Sequence, residues 1–151
     1  MNEYEISSAV RAALEGMKET DLCRGQGMTL QAANALIERV KERAAQMKVD
    51  AVIAVADAAG RPVSVQCMDG AYIASFDIAL NKSFTSAGLK MSTEELGRLS
   101  QPGQPLYGIQ HTNGGRIVIF GGGETLEAGG RIIGALGVSG GTAEQDSGLA
   151  A

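Results

Sequence analysis

The sequence predicts an α+β domain in which helices are segregated from an antiparallel sheet, and three observations carry this. Two long stretches repeat apolar residues at helical spacing, four short runs are rich in Val and Ile, and their order is helix, two strands, helices, then further strands. Alternating βαβ units would interleave the two types along the chain, so a parallel doubly wound sheet is not expected.

The elements follow in chain order. In EYEISSAVRAALEGM, Ile6, Val10, Ala13, Leu14 and Met17 fall on one stripe, with Glu3, Arg11 and Glu15 elsewhere. This predicts a short amphipathic helix within residues 1–17. The polar stretch KETDLCRGQG follows, and residues 18–27 read as a linker or irregular arm. The main domain, residues 28–151, opens with Thr29 as N-cap of LQAANALIERVKERAAQM, where Leu30, Ala33, Ile37, Val40, Ala44 and Met47 recur at helical spacing. AVIAVAD (51–57) and VSVQC (63–67), joined through AAGRP, predict a hairpin. Asp69 is the expected cap of the next helix, whose face is marked by Tyr72, Ile73, Phe76, Leu80, Phe84 and Ala87.

Ser92-Thr93-Glu94-Glu95 matches a capping box and starts a short helix that Pro102-Gly103 and Pro105 stop. RIVIF (116–120), continued through the link GGGETLEAGG, and RIIGALGV (131–138) are the remaining predicted strands. Asn113-Gly114 is a hairpin signal before the first, and Gly129-Gly130 marks a turn before the second.

Composition narrows the function classes. The net charge is −4 and no run of Lys or Arg is long enough to follow a phosphate backbone, so nucleic acid is not an expected partner. No apolar stretch reaches the ~18 residues of a membrane span, and MNEYEISSAV lacks the order of a secretory signal, so a cytoplasmic protein is expected. The two cysteines, Cys23 and Cys67, are far apart and with a single histidine offer no zinc cluster within one subunit.

That histidine, His111, lies in LYGIQHTNGGRIVIFGGGE, beside the Asn-Gly turn signal. It is a candidate base or iron ligand, with a structural hydrogen-bonding residue as the alternative. Cys23 and Met28 are the soft alternatives for haem iron. Gly121 and Gly122 would admit close approach of a flat ligand or another subunit. At GALGVSGGTAEQD, Gly140, Gly141 and Thr142 form either an anion-binding turn or an ordinary helix cap, Thr142 being followed by Gln145. Tyr107, Arg116 and Lys82 complete the ligand-binding candidates. No triad order or paired-carboxylate spacing names a catalytic residue.

MDGA, the DIALNK helix, NGGRI with its following GGG, and GALGVSGGTAEQD occur in the order seen in the GlcG/HbpS group, which includes the C-terminal domain of PduO-type proteins. The chain resembles that group from about Met28 to Asp146. The resemblance implies a profilin-like fold with a five-stranded antiparallel sheet flanked by helices, assembly into dimers and octamers, and haem binding or a role in haem and redox sensing. It does not bring adenosyl transfer, because the catalytic domain to which some members are fused is not in this sequence. Haem ligands described near that group's N-terminal helix use a histidine, whereas DLCRGQGMTL has none.

The N-terminal helix and linker are similar to encapsulation peptides of bacterial microcompartments. Residues 3–17 therefore suggest docking to a shell or cargo protein inside such a compartment, with packing within the oligomer as the competing reading. The leading functional expectation is an oligomeric small-ligand binder with haem as ligand. One alternative is an enzyme acting on a small hydroxy- or oxo-acid or an aldehyde, with His111 as base and Arg116 or the 140–145 turn gripping an anion. The other is a structural accessory protein that docks to a metabolic complex.

Overall fold

A computed structural model describes residues 3–15 and 27–141. It contains α1 (Glu3–Glu15), α2 (Leu30–Gln46), β1 (Ala51–Asp57), β2 (Pro62–Cys67), α3 (Ile73–Leu89), α4 (Thr93–Leu99), two single 3₁₀ turns (Ile109–His111 and Asn113–Gly115), β3 (Gly123–Ala128) and β4 (Arg131–Gly140). The strands make one antiparallel sheet in the order β2-β1-β4-β3. The linker at 18–26, Cys23, and the second capping-box pattern at Thr142 and Gln145 lie outside the described residues. No helix among the described residues is long and apolar enough to cross a membrane.

Side-chain alternation divides the sheet into two faces. Ile53, Val55, Leu136 and Val138 join Leu36, Ile37 and Val40 of α2 and Ile6 and Val10 of α1 in the main core. The opposite face carries Val52, Ala54 and Gly137 beneath α3, whose Ala79 packs on the first two. The predicted stripe of α1 is thus used inside its own subunit, Ile6 and Val10 being buried while Ala13 and Leu14 pack at its margin.

Local capping follows the chemistry. Thr29 Oγ1 accepts from the Ala32 amide at 3.1 Å, and Ser92 Oγ from the Glu95 amide at 3.1 Å. Glu95 pairs with Arg98 at 3.2 Å. Thr29→Ala is expected to cost about 1 kcal/mol, a fall in Tm of roughly 2–4 °C by thermal circular dichroism. At the β3–β4 turn Gly129 and Gly130 have φ of 58° and 72°, the pair of positive angles that a two-residue hairpin turn requires.

Six expectations are corrected. The sheet has four strands among the described residues and not five. RIVIF begins in a turn at Arg116, ends in a bend and pairs with no strand among the described residues, because helices satisfy and cover it: the Val118 amide donates to Thr85 Oγ1 of α3 at 3.1 Å, and the Ile119 carbonyl lies against Gly97 of α4. Asn113-Gly114 does turn the chain, with φ of 51° and 67°, but into 3₁₀ turns and not a hairpin.

Asp69 does not cap α3. Tyr72 holds the N-cap position without a side-chain bond, since Asp69-Gly70 is taken up in a turn closed from the Ala71 amide to the Met68 carbonyl at 3.0 Å. The helical period of α3 is right but the predicted face is only partly the inner one: Ala87 is buried, Leu80 and Phe84 are half-buried, and Tyr72, Ile73 and Phe76 are exposed. Its buried residues are small or polar, among them Ser75, Ala79, Lys82, Ser83 and Ser86, while Ile73 is 96% exposed and Phe76 43%. Small side chains let the helix approach the sheet: a Cβ on Gly137 would meet the Ala79 carbonyl and lie 2.7 Å from the Ser83 nitrogen. Finally, Leu30 at the start of α2 is exposed, the inner face there being taken by Ala33, Leu36 and Ile37.

Candidate functional site

The candidate residues fall into three places. The connection between α4 and β3 carries Tyr107, His111 and Arg116, all exposed. His111 ends the first 3₁₀ turn, and its imidazole makes no hydrogen bond or ion pair with another described residue. The Arg116 guanidinium stacks 3.7 Å from the centre of the Phe84 ring, a cation–π contact at the end of the outward apolar stripe of α3. Beneath this connection Gln110 Oε1 is buried without a partner.

Lys82, Gly121 and Gly122 form the second place. Lys82 is 1% exposed, deep in α3, and its ammonium cannot be left without partners in such surroundings. Its Nζ donates to the Val138 carbonyl at 2.9 Å and stands 4.9 Å from the centre of the Phe120 ring. Gly122, at φ 119°, is held to β4 by the Val138 amide, which donates to its carbonyl at 2.9 Å. A Cβ there would lie 2.7 Å from Lys82 Nζ, 2.6 Å from the Val138 carbonyl and 3.1 Å from Ile6 of α1, so the bare backbone is what lets the three meet.

The third place, at the end of β4, holds Gly140 and Gly141. Gly140 fits tightly on its own chain, a Cβ falling 2.9 Å from each of Ala51 Cβ, the Asp50 carbonyl and Val49 Cγ1. Met28 is half-buried against the main core near Gly134. Thr142 and Cys23 lie outside the described residues.

Around Lys82 the fold gathers residues that sequence reasoning missed. Ser7 Oγ of α1 donates to Glu94 Oε2 at 2.9 Å and to Glu124 Oε1 at 3.3 Å. Arg11, one turn on, pairs with Glu94 and with Glu124, the latter at 3.1 Å. Arg11 is 44% exposed, so each ion pair contributes at most about 1 kcal/mol. Beside this clasp, Glu94, Gly97, Arg98, Ile119, Phe120 and Gly121 line an open cleft of about 310 Å³. Glu94 comes from the first turn of α4 and Glu124 from β3; no spacing in the sequence links them to Arg11.

Chemically, the exposed connection offers one imidazole ligand and one stacked cation, and the Lys82 region offers a buried amine next to a small cleft. No group of three or more His, Cys, Asp or Glu that would hold a metal ion occurs among the described residues.

Comparison with known proteins places these features in context. The family model described as "Haem degrading protein HbpS-like" matches residues 28–151. A 15.0 kDa Citrobacter freundii protein of the dhaT-dhaS intergenic region is 46% identical over 123 residues, covering 82% of this chain and 87% of that protein. The crystal structure of the Klebsiella pneumoniae protein ORFY matches with a TM-score of 0.75 and 44% identity, over 85% of this chain and 88% of that one. That of a PduOC:heme complex matches with a TM-score of 0.66 and 31% identity, over 99% and 89%. On the match of its whole main domain and on these relatives, the chain belongs to the HbpS-like family.

Proposed function

We propose that this protein is a self-associating haem-binding protein, with haem seated against the connection that carries Tyr107, His111 and Arg116. The observation that carries the reading is the exposed His111 imidazole, which has no polar partner among the described residues, in the same connection as an arginine stacked on Phe84. Those groups suit the ligand: an imidazole for the iron, a guanidinium for a propionate and the Tyr107 ring for the porphyrin plane. Bound haem would supply a redox-active iron. Support comes also from the related PduOC:heme complex and from the name of the family.

Self-association, from dimer to octamer, is favoured by the outward face of α3, where Tyr72, Ile73 and Phe76 are all exposed. The second wall of the haem site then comes from a neighbouring subunit. In fold terms the reading keeps a profilin-like arrangement of sheet and helices. The protein would act in the cytoplasm, inside a microcompartment if residues 3–17 dock to a shell or cargo protein. Such docking requires Ile6 and Val10 of α1 to leave the main core.

Titrating hemin into the purified protein tests the reading. A saturable Soret shift is expected, weakened at least about 10-fold in affinity by His111→Ala, which removes the imidazole that would hold the iron. No saturable shift would sink haem binding. A shift that survives His111→Ala and disappears with Cys23→Ala would move the iron ligand to Cys23.

A further inference from the structure

Lys82 is a buried amine that the haem reading does not use, and α1 approaches it across Gly122. Ile6 Cγ2 and Lys82 Nζ flank the same empty Cβ position of Gly122, at 3.1 and 2.7 Å. On its other sides the amine meets the Val138 carbonyl and the Phe120 ring. Phe120, whose ring the amine faces, and Gly121 also line the 310 Å³ cleft, so the cleft runs beside the amine.

The attachment of α1 is thin. Ile6 and Val10 are its buried apolar residues, and a void of about 20 Å³ remains between them and α2. Ala13 and Leu14 pack only at the core's margin, and the polar clasp of Ser7 and Arg11 on Glu94 and Glu124 is partly open to solvent. Segments held by few buried apolar contacts open far more often than the domain unfolds.

We propose that α1 is a releasable strap and that Lys82 is the reactive amine it covers, serving a small carbonyl compound that enters from the cleft. Lifting α1 removes Arg11 from Glu94 and Glu124, leaving two carboxylates that repel an anion and admit a neutral aldehyde or ketone. The cleft walls Ile119 and Phe120 suit a short carbon chain. In the step itself Lys82 Nζ gives a proton to water and attacks the carbonyl carbon; a C–N bond forms, the carbonyl oxygen leaves as water, and an imine results. No electron is transferred.

The test is reductive alkylation of the full chain with acetaldehyde and cyanoborohydride, read lysine by lysine by peptide mass spectrometry. In the wild type Lys82 should react at least about 10-fold more slowly than the exposed Lys48 and Lys90. Arg11→Ala, or about 1 M salt on the wild type, should raise the Lys82 rate at least about 10-fold while Lys48 and Lys90 stay the same. Should the clasp alone not free α1, Ile6→Asp with Val10→Asp forces it open, and hydrogen exchange reports α1 separately from β1 and β4. An unchanged Lys82 rate with α1 open overturns the strap. A rise only when β1 and β4 also exchange overturns it too, since that is global unfolding. In the opened variants Lys82 must outpace Lys48 and Lys90; an equal or lower rate overturns the carbonyl site. The hemin titration of Arg11→Ala should match wild type, so failure of this proposal is distinct from failure of haem binding.

Discussion

Gly137→Ala is expected to destabilise the protein by about 3 kcal/mol or more, lowering Tm by roughly 10 °C. The new methyl would meet the Ala79 carbonyl and stand 2.7 Å from the Ser83 nitrogen, both backbone atoms of α3. A flexible side chain would give way, but a helix backbone moves only as a body. Displacing α3 would loosen Val52 and Ala54 beneath it and shift Lys82 and Thr85, which reach from the same helix to Val138 and Val118. Gly88→Ala on that helix is the control. A Cβ there meets nothing within 4 Å, so the change should be neutral or stabilise by up to about 1 kcal/mol. Urea and thermal unfolding of both variants check the pair. Equal stabilities would mean that α3 does not sit on β4 as closely as the structure has it.

Leu36→Ala should cost about 2–5 kcal/mol by opening a cavity in the main core. Leu36 is fully buried, packed with Ile37 and Val40 against the face of the sheet that carries Ile53 and Val55. Ile73→Asp is the informative contrast, because a large apolar residue is removed from a site that is 96% exposed in the subunit. Monomer stability should change by no more than about 0.5 kcal/mol, whereas sedimentation should show loss of assembly. Retained assembly in Ile73→Asp would take the outward face of α3 out of the subunit contact.

These two contrasts mark the boundary of what the sequence discloses. Signals confined to a few neighbouring residues survived: Thr29 and Ser92 cap their helices, and Gly129-Gly130 makes the turn into β4. The β1–β2 hairpin also forms where Val and Ile cluster around AAGRP. Helical spacing located α3 but could not orient it, since spacing defines a face and says nothing of which side the sheet takes. The side was decided by Ala79, Ser83 and Gly137, whose value is their smallness. RIVIF was apolar because it runs under α3 and α4, and a segment covered by helices has the same composition as a strand.

In the site, Lys82, Gly121 and Gly122 were candidates on sequence and do come together. Arg11, Glu94 and Glu124 were illegible, because their meeting depends on how α1, α4 and β3 pack and not on any local pattern. His111 stands where its neighbours suggested, on a surface turn, though the turn is of another kind.

The strand order β2-β1-β4-β3 has a consequence for how the chain comes to its fold. Each hairpin closes a short loop and can form early, but the central β1–β4 ladder joins segments separated by most of the domain, with α3 and α4 between them. During synthesis one edge of β1 stays unpaired until the last strand has left the ribosome. The slow step in folding is therefore expected to be the meeting of two preformed hairpins, and the open backbone edge of β1, beside the apolar face of Ile53 and Val55, is where nascent chains would aggregate before that meeting.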